Sequence, residues 1–95
     1  MTQPIVSLVV LSYNSARHLP ALFASIRAQT YQPLEVIVVD NASTDGTVTW
    51  LTQQQIVSDV KLILNEKNVW FAQGNNQGIQ QATGEFIYIC NDDIV

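Results

Sequence analysis

Two stretches of the chain, residues 5–11 (IVSLVVL) and 34–39 (LEVIVV), are β-branched and almost wholly apolar without clean alternation. A strand with one wet face alternates in polarity. A strand apolar on both faces has to be covered on both, which points to a parallel sheet with helices above and below. Parallel neighbours need crossover connections, so helices should lie between the strands.

The rest of the chain supplies them. Leu19, Leu22, Phe23 and Ile26 fall at i, i+3, i+4 and i+7, an apolar stripe that tolerates Pro20 in its first turn, and Pro33 bars continuation. After the second strand, Ser43, Thr44 or Asp45 can cap a helix reaching about Gln55. Residues 60–64 read as a third strand and 65–74 as a polar and aromatic loop. Residues 75–83 read as a helix closed by Gly84 at C′, and 85–90 (EFIYIC) as a fourth strand. The expected fold class is α/β, a Rossmann-like, doubly wound, mainly parallel sheet in the order βαβαβαβ. With 95 residues and no internal repeat, one unit fills the chain.

Composition narrows the partners. The net charge is −4 and the basic residues are Arg17, Arg27, Lys61 and Lys67, too few to grip nucleic acid or an anionic membrane. No aliphatic run approaches the ~20 residues of a membrane span. Cys90 has no second cysteine to pair with, and the start Met-Thr-Gln-Pro is neither basic nor apolar, so a reducing, cytoplasmic setting is expected. Ten Gln and seven Asn are scattered rather than clustered, so no low-complexity tract exists.

In doubly wound sheets ligands sit outside the carboxyl ends of the strands, where strand order reverses. Those ends are Ser12-Tyr13-Asn14, Asp40-Asn41, Asn65 and Asn91-Asp92-Asp93. Under the order 3-2-1-4, Tyr13 faces Asp92 and Asp93 across the crevice, with Asp40 alongside. Adjacent carboxylates call for a cation, and hard oxygen ligands suit Mg²⁺ or Mn²⁺. A DD pair after a strand is also a common solvated turn. Asp40 either accepts from a nucleotide's ribose hydroxyl or ring N–H, or caps its own turn. Tyr13 either packs against the first helix or offers a stacking face to a base. His18 and Cys90 lack ligand-spaced partners and read as structural. Neither G-x-G-x-x-G after the first strand nor G-x-x-x-x-G-K-S/T occurs, so diphosphate would have to be held through metal.

These residues together resemble the amino-terminal half of the family 2 glycosyltransferases, inverting nucleotide-sugar transferases of the GT-A fold. Ser12-Tyr13-Asn14 resembles the P-S/T-Y-N segment, and residues 38–47 (VVDNASTDGT) resemble the signature V-V-D-N/D-x-S-x-D-x-T. Residues 74–79 and 82–87 resemble G-x-N-x-G-I and A-x-G-E-Y/F-I/V, with Asn91-Asp92-Asp93 at the DXD position. Gly74-Asn75-Asn76 with Asn91-Asp92-Asp93 is most similar to rhamnosyltransferase-type members that build bacterial surface polysaccharides.

The resemblance implies a nucleotide-sugar site drawn from Ser12, Tyr13, Asn14, Asp40, Asn41, Asn75, Asn91 and Asp92, with Asp92 and Asp93 on the metal. It implies a UDP- or dTDP-linked donor and an acceptor glycan or lipid-linked glycan. The general base is expected beyond Val95, so residues 1–95 would be the donor half, without the acceptor half and inactive alone. A peripheral place at the inner face of the cell membrane is open to the full-length protein. Two departures stand out: Asn91 replaces the first acid of the DXD, and Trp70 stands where relatives usually carry Gly or a basic residue. The competing expectation is a non-catalytic nucleotide-binding or structural module; a phospho-acceptor domain would need an acidic pair after the first strand, where this chain has Ser12-Tyr13-Asn14. The fourth strand should lie at an edge, favouring self-association through residues 85–95.

Overall fold

The computed structural model describes residues 4–28, 34–57 and 60–91, the side chains of 56, 57 and 91 excepted. The elements alternate as β1 (Val6–Ser12), α1 (Leu19–Arg27), β2 (Leu34–Asp40), α2 (Thr47–Val57), β3 (Val60–Leu64), α3 (Trp70–Gln81) and β4 (Phe86–Asn91). The strands pair in parallel, as the sequence pattern implies, and take the order β3-β2-β1-β4 that the placing of the strand ends assumes. The switch point lies between β1 and β4, and Ser12 stands beside Asp40 in the ladder.

The two faces are covered differently. Val10, Val36 and Val38 pack against Leu19, Leu22 and Phe23 of α1 and Leu51 of α2, with Trp50 edge-on to Phe23 at 5.0 Å between ring centroids. Pro20 lies in the first turn of α1; Pro33 lies outside the described residues. The opposite face carries α3, which descends across β1 and β2 from the carboxyl end. A Cβ on Gly74 would stand 2.6 Å from Leu11 Cδ1, and one on Gly78 would stand 2.4 Å from Val9 Cγ1. These contacts are closer than any side chain allows, so the helix lies nearer the sheet than alanine would let it.

Two expectations are corrected. The third helix begins at Trp70 rather than residue 75, so half of the expected loop is helical. Its buried residues are Gly74, Asn75 and Gly78, which carry no apolar stripe for periodicity to register. Gly84 is not a left-handed C′ residue. The helix ends at Gln81 and Ala82 turns extended (φ −73°, ψ 135°). Gly84 instead crosses β1, where a Cβ would meet Ser7 Oγ at 2.5 Å and the Ile5 carbonyl oxygen at 2.6 Å.

As expected of an edge strand, β4 leaves apolar side chains uncovered: Phe86 is 57% exposed and Tyr88 64%, with Ile87 and Ile89 also exposed. At the amino end of the sheet, Glu35 joins several elements. It accepts from Ser7 Oγ at 2.7 Å, from the Thr83 N–H at 2.9 Å and from Thr83 Oγ1 at 2.9 Å, and pairs with Lys61 Nζ at 2.7 Å. Burial opposes its charge, yet Lys61, Thr83 and Ser7 outweigh that and lower its pKa from 4.5 to about 2.

Candidate functional site

At the carboxyl end, the loops after β1 and β2 are cross-linked by their own polar groups. Asp40 is fully enclosed: Oδ1 accepts from Ser12 Oγ at 3.1 Å and Ser43 Oγ at 2.7 Å, and Oδ2 accepts from the Ser43 N–H at 3.0 Å. Both carboxylate oxygens therefore have protein donors, the geometry of an acid that closes its own turn. Asn14 donates its N–H to Ser43 Oγ at 2.8 Å, and its Oδ1 accepts the Thr44 N–H at 2.7 Å. The Ser15 N–H reaches Thr47 Oγ1 at 3.0 Å, and the Ala16 N–H reaches Asp45 Oδ2 at 3.2 Å. Asp45 also takes the Thr47 hydroxyl and N–H at the start of α2, as a capping acid should. Hydrogen bonds led by the Thr47 hydroxyl hold its carboxyl below the usual range, against a smaller opposing effect of burial.

Two non-glycine residues in these loops, Asn14 (φ 49°) and Ala42 (φ 63°), adopt left-handed backbone. Asn tolerates that region; alanine does so at a cost of about 1 kcal/mol. The result of this bracing is Tyr13, 49% exposed, presented just past the end of β1.

A second network, built from amides, joins β2 to α3. Asn41 is buried; its Oδ1 accepts from Asn65 Nδ2 at 2.9 Å and from the Val69 N–H at 3.4 Å, while its Nδ2 donates to the Trp70 carbonyl at 3.3 Å. Asn65 and Gln77 exchange paired amide hydrogen bonds at 2.8 and 3.0 Å. Trp70 opens α3 at φ 66° with its N–H on Asn68 Oδ1 at 2.7 Å. The loop thus keeps a backbone that suits glycine and carries tryptophan on it, a strain of about 1–3 kcal/mol held by these neighbours.

Farther along α3, Asn75 is buried and its Oδ1 has no hydrogen-bond donor among the described residues. A buried carbonyl oxygen left so is costly, which makes it an acceptor waiting for a donor. Asn91 ends β4 opposite Leu11; Asp92 and Asp93 lie outside the described residues. Among the described residues, no group of three or more His, Cys, Asp or Glu could hold a metal. His18 precedes α1 without a side-chain capping bond, and Cys90 packs against the core.

The structure brings together Ser12, Tyr13, Asn14, Asp40 and Asn41 on one edge. Of the residues that hold them, Asn65 is marked in the sequence by its place after the third strand and Ser43 only as a helix-cap candidate, while Gln77 is not singled out. The D-x-x-S spacing of Asp40 and Ser43 is a readable turn signal. The Asn65–Gln77 pair spans a loop and gives none. A groove of about 840 Å³ between α1 and β4, lined by Val6, Leu8, Leu22, Ile26, Phe86 and Tyr88 among others, lies away from this edge and is almost wholly apolar.

A Rossmann-like α/β sheet with its polar residues gathered at the carboxyl edge defines a class of small-ligand-binding domains. The comparisons make the assignment narrower: residues 7–95 match the model of glycosyl transferase family 2, and the chain belongs to that family. It is 35% identical over 92 residues to the GalNAc(5)-diNAcBac-PP-undecaprenol beta-1,3-glucosyltransferase of Campylobacter jejuni, covering 95% of this chain and 30% of that one. It superposes on the mannosyltransferase PcManGT of Pyrobaculum calidifontis, solved with GDP-Man and Mn²⁺, with TM-score 0.88 and 31% identity, covering 97% of this chain and 28% of that one. Against S. aureus TarS 1-349 with UDP-GlcNAc the TM-score is 0.84 at 30% identity, covering 93% and 26%. The chain spans 26% to 36% of the length of the curated relatives it matches.

Proposed function

We propose that this chain is the donor-nucleotide half of a glycosyltransferase that moves a sugar from a nucleoside diphosphate sugar to an acceptor hydroxyl. The observation that carries it is the braced carboxyl edge: cross-linked loops present Tyr13 beside the switch between β1 and β4, in a family whose solved relatives bind UDP-GlcNAc and GDP-Man. Tyr13 stacks on the base. Ser12, Asn14, Asp40 and Asn41 hold the platform, Asp40 chiefly through Ser12 and Ser43. Asn75 offers its unpaired Oδ1 to a donor hydroxyl. Asn91 and Asp92 serve the ribose and sugar side. Asp92 and Asp93 would hold Mg²⁺ or Mn²⁺, whose contribution is to neutralise the leaving diphosphate. The metal fits the charge of the chain, since a net −4 repels a diphosphate until a cation bridges them.

The donor is read as UDP- or dTDP-linked and the acceptor as a glycan or lipid-linked glycan of a bacterial surface polysaccharide. No described helix is long and apolar enough to cross a membrane. The uncovered apolar side chains of β4 support self-association through residues 85–95, which light scattering measures. Titration calorimetry tests the central reading. UDP should bind in Mg²⁺ or Mn²⁺ and lose most of its affinity in EDTA; equal affinity in both would remove the metal from the site.

A further inference from the structure

Trp70 is the most exposed large apolar side chain among the described residues, at 74%, and it sits on backbone of φ 66° that a bulky residue seldom adopts. Neighbours fix that conformation from both sides: Asn68 Oδ1 takes its N–H and Asn41 Nδ2 binds its carbonyl. Glycine would satisfy the same hydrogen bonds without strain. What tryptophan adds is an indole turned to solvent, so the reason for it is sought in what the ring can touch.

The ring's place in the fold narrows the choice. Asn41, whose side chain holds Trp70, donates its own backbone N–H to the Ser12 carbonyl at 2.9 Å, and Tyr13 follows directly. One buried residue therefore ties the backbones that carry the two rings. The hydrogen-bonding network behind Trp70 is made of neutral amides, Asn41 with Asn65 and Gln77, the carboxylate of Asp40 is taken up by Ser12 and Ser43, and α3 has no charged residue along its length. Flat apolar rings among uncharged hydrogen-bonding groups suit a planar heterocycle with edge donors and acceptors, rather than a phosphate or a charged peptide. We infer that Trp70 is a specificity-determining residue of the donor site, contacting the nucleobase and adding a second ring to the one Tyr13 supplies. This rests on the reading of the carboxyl edge as a donor-nucleotide site.

The chain contains two tryptophans, and Trp50 is packed on Phe23. UDP with Mg²⁺ should quench the emission of the unaltered protein, and in Trp70→Phe, where only Trp50 emits, the quench should vanish while affinity falls less than about threefold. Trp70→Gly should melt no lower than the unaltered chain, because strain is relieved, yet bind UDP about tenfold more weakly, within the range measured for loss of one stacked base. If Tyr13→Ala abolishes UDP binding but Trp70→Gly binds as the unaltered chain does, Trp70 has no part in recognition and the inference fails while the donor site stands. If UDP, dTDP and GDP all fail to bind the unaltered chain, both readings fall together. If Trp70→Gly leaves UDP affinity intact and instead dissolves an oligomer seen by light scattering, the indole serves a protein partner and the inference is overturned.

Discussion

Glu35 and Asp40 lie on the same strand, one near each end of β2, and each ties its end of the sheet together by different chemistry. Glu35 is held by an ion pair to Lys61 together with hydroxyl and backbone donors from β1 and the segment before β4. Asp40 has hydroxyls and a backbone N–H alone among its described partners. The amino end is thus clamped by paired charge. The carboxyl end is braced by dipoles, so no lysine or arginine is drawn against Asp40. Under the proposed function, a site for a metal and a diphosphate would gain from that, because a fixed cation against the brace would compete with the one that arrives with the ligand.

The comparison is sharpest at Asp40. Asp40→Ala should destabilise the fold by about 3 kcal/mol, since it strands the buried Ser12 hydroxyl and the part-buried Ser43 donors, and urea unfolding reads that directly. If stability is unchanged and only nucleotide affinity drops, Asp40 is an open acceptor and the brace lies elsewhere. Glu35→Gln should cost less, about 2 kcal/mol near neutral pH, the scale of hydrogen bonds to a charged group, with little of it from Lys61, which is 47% exposed and screened by solvent. The sign with pH follows from the lowered pKa. Glu35 stabilises the fold above its ordinary 4.5, and that stabilisation drains away as pH falls towards about 2. Glu35→Gln should flatten this part of the acid-unfolding curve, and an unchanged curve would mean the clamp contributes nothing. The smallest effect is expected of Ala42→Gly, which should raise stability by at most about 1 kcal/mol by removing a left-handed alanine. A fall in melting temperature would show that the alanine methyl is itself part of the brace.

What the sequence disclosed and what it hid divide along the same physical line. Strands β1 and β2 are legible because burial on both faces forces unbroken aliphatic runs, and their parallel pairing follows from the crossovers between them, whereas the strand order is only the common one for such sheets. Helix α3 is half hidden because it inverts the usual pattern. It buries Gly74, Asn75 and Gly78 and exposes Trp70 and Phe71, so the face that packs looks like a loop and the face that is wet looks like a core. The edge residues Tyr13, Asp40 and Asn41 are legible from their place after strands. The partners that hold them are not, because Asn14 to Thr44 and Asn65 to Gln77 meet only after folding. The narrower likeness to rhamnosyltransferase-type members rests on Gly74-Asn75-Asn76 and Asn91-Asp92-Asp93 alone.

The cross-links between the loops after β1 and β2 also govern how this edge breathes. Asn14, Ser15 and Ala16 each give an amide hydrogen to the second loop, and Asn14 takes one back from Thr44. Neither loop can lift without releasing the other, so the pair opens as one cooperative unit rather than as two fraying segments. Amide protons of Asn14, Ser15, Ala16 and Thr44 should then exchange with solvent deuterium at a shared opening free energy. If the proposed function holds, a donor arriving at such an edge would meet loops already braced, and little of its binding energy would go into ordering the protein.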